Sequence, residues 1–373
     1  MKPRFSLSTA ILVIGASIAS AQPPAAPAPA APGRAARPPA PQRDPLTAGY
    51  VKATELPDGE VPPMEADGNF IIGPTHKPAP EMSPVPAGQP KGTVHKFTLS
   101  STDSKFYPGV ERDEPAAGAA PAGPNGTVGN HPKPYARTVS VYVPAQYVPG
   151  TVAPVMITSD GDGRAFNVLD HLIPQKKLPV MIVVAIPPGG PDGRGGQRNL
   201  EYDTMSGKYS DFVETEVLPM AEKVANVKLT KDPDGRAVMG TSSGAAAGMI
   251  MAWFHPERYR RVLTFSGTFT NNQWPVDQEV PHGAWGLHET LIPNSPVKPL
   301  RIYMEVGDRD NFGGSTRDWV EANENMAKVL TAKGYHYKFV FARNAGHTDR
   351  PTISQLYPTA LQWIWQGYPI AGK

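Results

Sequence analysis

A series of short, uninterrupted apolar runs, separated by helix-like segments, restricts the fold of this chain more than any other feature. The runs lie at residues 154–158, 179–186, 236–239, 262–265, 300–306 and 338–341. A strand that is apolar on both faces is typical of a parallel sheet covered by helices. Apolar residues recur at helical spacing between the runs, as in 209–220, 319–330 and 356–365. This alternation predicts one α/β domain with a doubly wound, mostly parallel sheet.

The first 130 residues differ in composition from this domain, which we place at residues 131–373. Residues 1–21 begin with two basic side chains, continue with a short apolar run and end in Ala-Ser-Ala, which predicts an export signal removed by cleavage. Residues 22–45 consist largely of alanine and proline and predict an extended linker. Residues 46–130 predict an extended region with a few strands, including 70–72, and a surface loop rich in alanine, glycine and proline.

The composition excludes several classes of protein. The chain contains no cysteine, which rules out disulfide scaffolds, thiolate zinc sites, iron–sulfur clusters and a cysteine nucleophile. The formal charge of +2 comes from the first 43 residues, and the remainder has no net positive charge to attract nucleic acid. The N-terminal apolar run is shorter than the about 20 residues that span a bilayer, so no stable membrane insertion is expected. An exported protein without cysteine is expected in a bacterial periplasm or outside the cell.

The most specific motif is Gly-Thr-Ser-Ser-Gly at residues 240–244. It follows the run 236–239 and precedes the helix pattern 245–254, which is the strand–turn–helix context of a nucleophile elbow. Such a turn is so tight that the flanking positions require glycine. Ser242 is therefore predicted to expose its hydroxyl at the carboxyl end of the sheet, beside the positive end of a helix. The alternative is a glycine-rich turn that only packs tightly.

A serine hydroxyl is a weak nucleophile unless a base takes its proton. In this arrangement the acid and then the histidine follow the serine along the chain. The run 300–306 is followed by Asp308 and Asp310, and the run 338–341 is followed by His347. His347 is therefore predicted as the base, and Asp310 or Asp308 as the acid that orients it. Either aspartate could instead cap a turn.

The reaction also needs N–H donors for the negatively charged oxygen of its intermediate. The backbone amide of Ser243, the residue after the predicted nucleophile, is expected to supply one. The other is expected from the loop after the run 154–158, where Asp162 is favoured and Gly161 is next, because glycine lets the backbone approach a ligand. The alternative at this place is an ordinary polar turn.

Metal chemistry is not predicted. His282 and His288 could be ligands, but no carboxylates at ligand spacing accompany them. An EF-hand-like interpretation of the stretch after residue 306 fails, because Phe312 occupies a position that needs an oxygen ligand. No metal and no cofactor is therefore expected.

At these motifs the chain resembles the putative-esterase group of α/β hydrolases, and within it the enterochelin-esterase-like proteins. The resemblance covers residues 135–367 and includes Ser-Asp-Gly at 159–161, Arg-Asn-Leu-Glu-Tyr-Asp at 198–203 and the elbow at 240–244. The stretch 97–109 is similar to the strand region that precedes the sheet in those proteins. The resemblance implies a sheet of the α/β-hydrolase type with a small β region ahead of it.

The resemblance also implies the roles of individual residues. Ser242 matches the nucleophile, His347 the base and Asp310 the acid, while Asp162 matches the second oxyanion donor beside Ser243. An aspartate at the position of Asp162 departs from the apolar residue that is usual there.

Two further residues are candidates for substrate binding. Arg198 could hold a carboxylate or polyol edge of a substrate, or could pair with Glu201 or Asp203. Trp274 lies in the segment 268–299, where this fold often inserts a cap, and could line an aromatic or sugar site or pack the cap.

The sequence thus predicts an exported serine carboxylic-ester hydrolase that acts through an acyl-enzyme on a small-molecule or polysaccharide ester. Two alternatives remain open. One is an acyltransferase that uses the same triad, and the other is a non-catalytic protein that binds carbohydrate or siderophore on a hydrolase scaffold.

Overall fold

Each of the six apolar runs contributes a strand to one central sheet in the computed structural model. The structure describes residues 39–113, 129–190, 195–274, 277 and 279–370. The predicted export signal, most of the predicted linker and most of the Ala/Gly/Pro-rich loop lie outside the described residues. The strands are β1 (Thr54–Glu55), β2 (Gly68–Ile72), β3 (Thr93–Ser100), β4 (Val110–Arg112), β5 (Asn130–Pro132), β6 (Ala136–Val143), β7 (Val152–Ala153), β8 (Val155–Ser159), β9 (Ile182–Ile186), β10 (Lys228–Leu229), β11 (Arg236–Thr241), β12 (Arg261–Phe265), β13 (Arg301–Arg309) and β14 (His336–Gly346).

Helices connect these strands. They are α1 (Arg164–Leu172), α2 (Gln197–Tyr202), α3 (Lys208–Phe212), α4 (Leu218–Ala225), α5 (Ser243–Phe254), α6 (Ile292–Asn294), α7 (Trp319–Lys333) and α8 (Arg350–Ile364). A π-helical turn, Val213–Val217, joins α3 to α4. Pro219, predicted to kink or end this helix, lies at the junction of the π-helical turn with α4.

The central sheet has ten strands in the order β1-β2-β14-β13-β12-β11-β8-β9-β6-β3. All pairs from β1 to β9 in this order are parallel, while β9–β6 and β6–β3 are antiparallel. This order confirms the predicted mostly parallel sheet.

Alternate residues of the strands pack into two separate cores, one on each face. On the first face, Ile157 and Val238 pack with α5, α7 and the α3–α4 segment. On the other face, Met156 and Ala237 pack with α1 and α8. The sheet is therefore covered on both sides, as its apolar strands require. None of the helices in the described part of the chain has the length and apolar character needed to span a lipid bilayer.

The region 46–130 contributes strands to the central sheet, although the sequence predicted it as a separate region. β2 pairs with β14 at one edge and β3 pairs with β6 at the other, which covers backbone groups that an open edge would expose. The preceding Arg43 is fully buried, and its Nε donates to Glu324 Oε1 of α7 at 2.7 Å. Residue 131 therefore marks no boundary within the compact unit that starts at residue 39.

Candidate active site

The turn between β11 and α5 has the predicted elbow geometry. Ser242 has a φ of 57° and a ψ of −133°, in a region that side chains rarely adopt. A Cβ atom at Gly240 would lie 2.2 Å from the carbonyl carbon of Gly244, and one at Gly244 would lie 2.7 Å from the Cβ of Ser159. Both flanking positions therefore admit only glycine.

Substitution of Gly240 by alanine is expected to lower the free energy of unfolding by about 1–3 kcal/mol or more, because the new methyl group would overlap rigid backbone. Denaturant unfolding would measure the loss. Gly346→Ala is a matched control close to the site, since a Cβ there meets nothing within 4 Å. Equal stabilities of the two variants would contradict the steric explanation.

Three side chains from the carboxyl ends of three strands meet at this turn. His347, after β14, places its Nε2 2.9 Å from Ser242 Oγ. The Nδ1 of His347 lies 2.6 Å from Oδ1 of Asp310, which follows β13. The carboxylate of Asp310 is fully buried, whereas a quarter of the His347 side chain is exposed. The structure thus forms a continuous Ser–His–Asp hydrogen-bonded chain that is open to solvent at the imidazole.

The structure distinguishes between the two candidate acids. Asp308 Oδ1 accepts a hydrogen bond from the backbone N–H of Ala345 at 3.2 Å, so this carboxylate holds the end of β14. Asp310 Oδ1 contacts the imidazole and also accepts from the N–H of Asn311 at 2.6 Å. Only Asp310 is therefore placed to orient His347.

Thr268 and Trp319 also lie close to the reacting groups, although no sequence motif indicated them as site residues. Thr268 Oγ1 lies 3.4 Å from Ser242 Oγ and accepts a hydrogen bond from the indole N–H of Trp319 at 3.0 Å. The Trp319 ring packs edge-on against the His347 ring, with centroids 6.0 Å apart. Thr268 lies in a loop, and the periodicity of residues 319–330 indicated a helix that begins at Trp319 but not a place in the site.

The Ser243 amide, predicted as an oxyanion donor, lies directly after Ser242 at the start of α5. It is the first N–H of α5, and within the described residues it donates to no acceptor, so it is available to a ligand.

The Asp162 amide does not agree with its prediction. It donates to the carbonyl of Ser159 at 3.1 Å and closes a turn in which Asp160 and Gly161 both have positive φ. Its proton is therefore already used, which leaves Gly161, the second choice of the sequence prediction, as the candidate donor in this loop.

Arg198 is not a free substrate contact. It is buried, and its Nε and Nη2 atoms donate to the two carboxylate oxygens of Asp160 at 2.8 and 3.0 Å. Its guanidinium also stacks 5.1 Å above the Tyr202 ring. Glu201, one partner suggested by the sequence, instead binds Arg137. Arg198 therefore holds the loop after β8 in place.

Trp274 is also buried, with 5% of its surface exposed. Its carbonyl accepts a hydrogen bond from Arg112, and its indole approaches the backbone at Gly195. These contacts correspond to the packing alternative for the cap segment and not to an open aromatic surface.

The two candidate metal-binding histidines lie in separate environments. His282 pairs with Glu289 at 2.6 Å, whereas His288 is buried against the carbonyl of Phe269, and burial lowers the pKa of His288 to about 4. No cluster of three potential metal ligands occurs in the described residues.

A second carboxyl group lies beneath the triad. Glu305 of β13 is fully buried, and neither of its side-chain oxygens has a hydrogen-bond partner in the described part of the chain. Burial, reinforced by the nearby charge of Asp310, raises the pKa of Glu305 well above its ordinary value.

This shift predicts how stability changes with pH. Because the folded-state pKa of Glu305 is above the unfolded one, its contribution to stability is complete in acid and decreases as pH rises. Glu305→Gln is therefore expected to be more stable than the parent protein at about pH 8, with the difference disappearing towards about pH 4. Thermal unfolding across this range would measure it. A stability difference between the two proteins that does not change with pH would contradict a raised pKa of Glu305.

A sheet of this topology, with a strained serine between strand and helix that is hydrogen-bonded to a histidine, defines an α/β hydrolase. Residues 134–360 match the family described as putative esterase, and the chain belongs to that family.

Known proteins similar to this chain include an iron(III) enterobactin esterase of Dickeya dadantii (strain 3937), 32% identical over 133 residues that cover 33% of this chain and 28% of the relative. The uncharacterized protein YbbA of Bacillus subtilis (strain 168) is 22% identical over 61% of this chain and 92% of its own length. The ferulic acid esterase of the anaerobic fungus Anaeromyces mucronatus has a similar structure, with a TM-score of 0.51 and 15% identity over 76% of this chain and 94% of that one. The chain thus spans less than a third of the enterobactin esterase, and the structural likeness shows the fold.

Proposed function

We propose that this protein is a serine carboxylic-ester hydrolase. The observation that carries the proposal is the hydrogen-bonded chain from Ser242 Oγ through His347 to Asp310, with distances of 2.9 and 2.6 Å. Membership of the putative esterase family supports it, as does the activity named for the enterobactin and ferulic acid esterases. Arrangements of this kind catalyse acyl transfer on several unrelated folds.

The proposed reaction begins when Ser242 Oγ attacks the carbonyl carbon of the ester and His347 Nε2 takes the hydroxyl proton. The electron pair of the C=O double bond moves to oxygen, which accepts hydrogen bonds from the Ser243 amide and from a second amide, proposed to be Gly161. Asp310 accepts the bond from His347 Nδ1–H and stabilises the imidazolium. The C–O bond to the alcohol then breaks, and His347 returns the proton to the departing oxygen.

The second half of the cycle removes the acyl group. His347 takes a proton from water, the hydroxide oxygen attacks the acyl carbon, and the Ser242 Oγ–acyl bond breaks. The proton returns to Ser242, and the carboxylic acid leaves. The substrate is proposed to be a small-molecule or polysaccharide ester. A quarter of the His347 side chain is exposed to solvent, and the elbow lies at the carboxyl ends of the strands, where α/β folds bind ligands.

Purified protein is expected to hydrolyse short p-nitrophenyl esters and to react covalently with a fluorophosphonate. A panel of siderophore, feruloyl and acetyl esters would then identify the acid and alcohol that it prefers. Transfer of the acyl group to an added alcohol, in place of hydrolysis, would identify an acyltransferase. Absence of both hydrolysis and labelling would indicate a non-catalytic binding protein.

Export to the periplasm or the exterior is proposed from residues 1–21. Expression of the full chain in a Gram-negative host, followed by N-terminal sequencing of the periplasmic fraction, would test it. A mature protein that begins at Gln22 is expected, whereas intact protein found only in the cytoplasm would contradict it.

A further inference from the structure

A cavity with a volume of about 370 Å³ lies at the amino-terminal ends of the parallel strands, whereas Ser242 lies at their carboxyl ends. Arg261, Arg301 and His336 are the first residues of β12, β13 and β14, and all three line it. The triad lies at or beyond the carboxyl ends of strands in this same parallel group, so the full length of the strands separates the two places.

The three residues form a row across the sheet. Arg261 is directly opposite Arg301 in the strand register, and Arg301 is directly opposite His336. Neighbouring strands are about 4.8 Å apart, so two guanidinium groups begin side by side on the cavity wall. Arg260 and Lys298 add two more cations to the lining.

Few negative charges balance this row. Asp234 is the one carboxylate in the lining, and its Oδ2 pairs with Arg260 at 3.0 Å. Asp67 pairs with His336 at 2.5 Å. Within the described residues, no carboxylate lies within ion-pair distance of the side-chain cations of Arg261, Arg301 or Lys298. The cavity therefore carries an excess of positive charge.

Arg261 is buried and Arg301 is half-buried, and both make their hydrogen bonds to neutral oxygens. Arg261 donates to the carbonyls of Asp234, Ile364 and Gln366. Arg301 donates to the carbonyl of Trp363 and to the side-chain oxygen of Gln366. The bonds to Trp363 and Ile364 cap the C-terminal end of α8, whose partial charge of about −0.5 offsets only part of two full charges. One nitrogen of each guanidinium, Nη2 of Arg261 and Nη1 of Arg301, donates to no acceptor in the described part of the chain.

Burial lowers the pKa of both guanidinium groups, and a neighbouring positive charge adds to the shift at Arg261. Burial, reinforced by the charge of Arg301, lowers the pKa of Arg261 to about 10. Burial also lowers the pKa of Arg301. An anion placed between the two side chains would reduce this unfavourable energy, and a guanidinium pairs best with a planar or tetrahedral group of oxygens.

We propose that this cavity is a binding site for a phosphate or sulfate group, held between Arg261 and Arg301 and approached by Lys298 and Arg260. The row of guanidinium groups in strand register, the excess of positive charge and the size of the cavity together support it. The group could belong to a free small molecule or to a lipid headgroup.

Thermal unfolding with increasing inorganic phosphate would test the proposal, because a ligand that binds only the folded state raises the unfolding temperature. Phosphate is expected to raise it saturably, and sodium chloride at equal ionic strength is expected to have no comparable effect. The double variant R260A/K298A removes two of the lining cations and leaves Arg261 and Arg301 intact. Its apparent affinity for phosphate is expected to be lower by about tenfold, whereas K91A, which removes an exposed lysine elsewhere, should match the parent protein.

A second measurement does not depend on the variant folding. The phosphorus resonance of inorganic phosphate should broaden in the presence of the parent protein and sharpen again when sulfate competes. An equal effect of chloride, an unchanged affinity in R260A/K298A, or no broadening would each overturn the proposal. Sedimentation with vesicles that contain phosphatidic acid distinguishes the sources, since a lipid-headgroup site predicts binding that R260A/K298A loses. Hydrolysis of p-nitrophenyl esters should be unchanged in R260A/K298A, so this test is independent of the proposed function.

Discussion

Substitution of Ser242 by alanine is expected to reduce the hydrolysis of a p-nitrophenyl ester by roughly 10⁵-fold or more, because no other group can form the acyl-enzyme. The hydroxyl of Ser242 is 2.9 Å from His347 Nε2, and its loss removes one oxygen from a half-buried position without disturbing the backbone. Initial rates, with circular dichroism as a measure of folding, would give the result. Covalent labelling by a fluorophosphonate should disappear in the same variant.

The neighbouring serine provides a matched control. Ser243→Ala also removes one hydroxyl from the elbow, but it retains the backbone N–H proposed to stabilise the oxyanion. This variant is expected to keep most of its activity. A large loss in Ser243→Ala together with full activity in Ser242→Ala would mean that the wrong serine has been assigned as nucleophile.

Substitution of Asp310 by asparagine is expected to lower turnover by about 10⁴-fold. The carboxylate accepts a hydrogen bond from His347 Nδ1–H, whereas the amide NH₂ of asparagine would donate to Nδ1 and favour the opposite tautomer. The proton would then lie on Nε2, where it blocks acceptance of the serine proton. Single-turnover kinetics would locate the loss in the acylation step.

Asp308→Asn is the comparison that separates the two acids. Asp308 accepts a hydrogen bond from the Ala345 N–H, and an asparagine side-chain oxygen can replace that bond. Little loss of activity is therefore expected, with at most a small decrease in stability. Equal losses in the two variants would contradict the assignment of Asp310 as the orienting residue.

The fold could be predicted from the sequence because burial on both faces leaves a simple signature. A run such as 182–186 is apolar at every position, and the same residues form β9 in the parallel part of the sheet. Strands that pair at the edges lack that signature. The two-residue strand β1 and the mixed sequence of β2 gave no indication that they would extend the sheet beside β14.

The elbow could be predicted because steric requirements fix its residue types. The hydrogen-bond partners of individual polar groups could not be predicted, because they depend on how the elements pack. Two glycines around Ser242 are a consequence of backbone geometry, so the motif identified the turn. The pairing of Arg198 with Asp160 depends on where α2 packs, which no spacing along the chain encodes. The use of the Asp162 amide within its own turn depends on the positive φ of Asp160, a residue type that only sometimes adopts it.

The pairing of β2 with β14 has a consequence for the order in which the protein can fold. Its register partners, such as Gly68 and Lys338, are far apart in the sequence, so this edge cannot close until β14 has been synthesised. β14 also positions His347 beside the elbow, and Ser242 lies 105 residues earlier in the sequence. A nascent chain therefore contains its serine long before it contains its base, and catalysis must await the synthesis of β14 and His347.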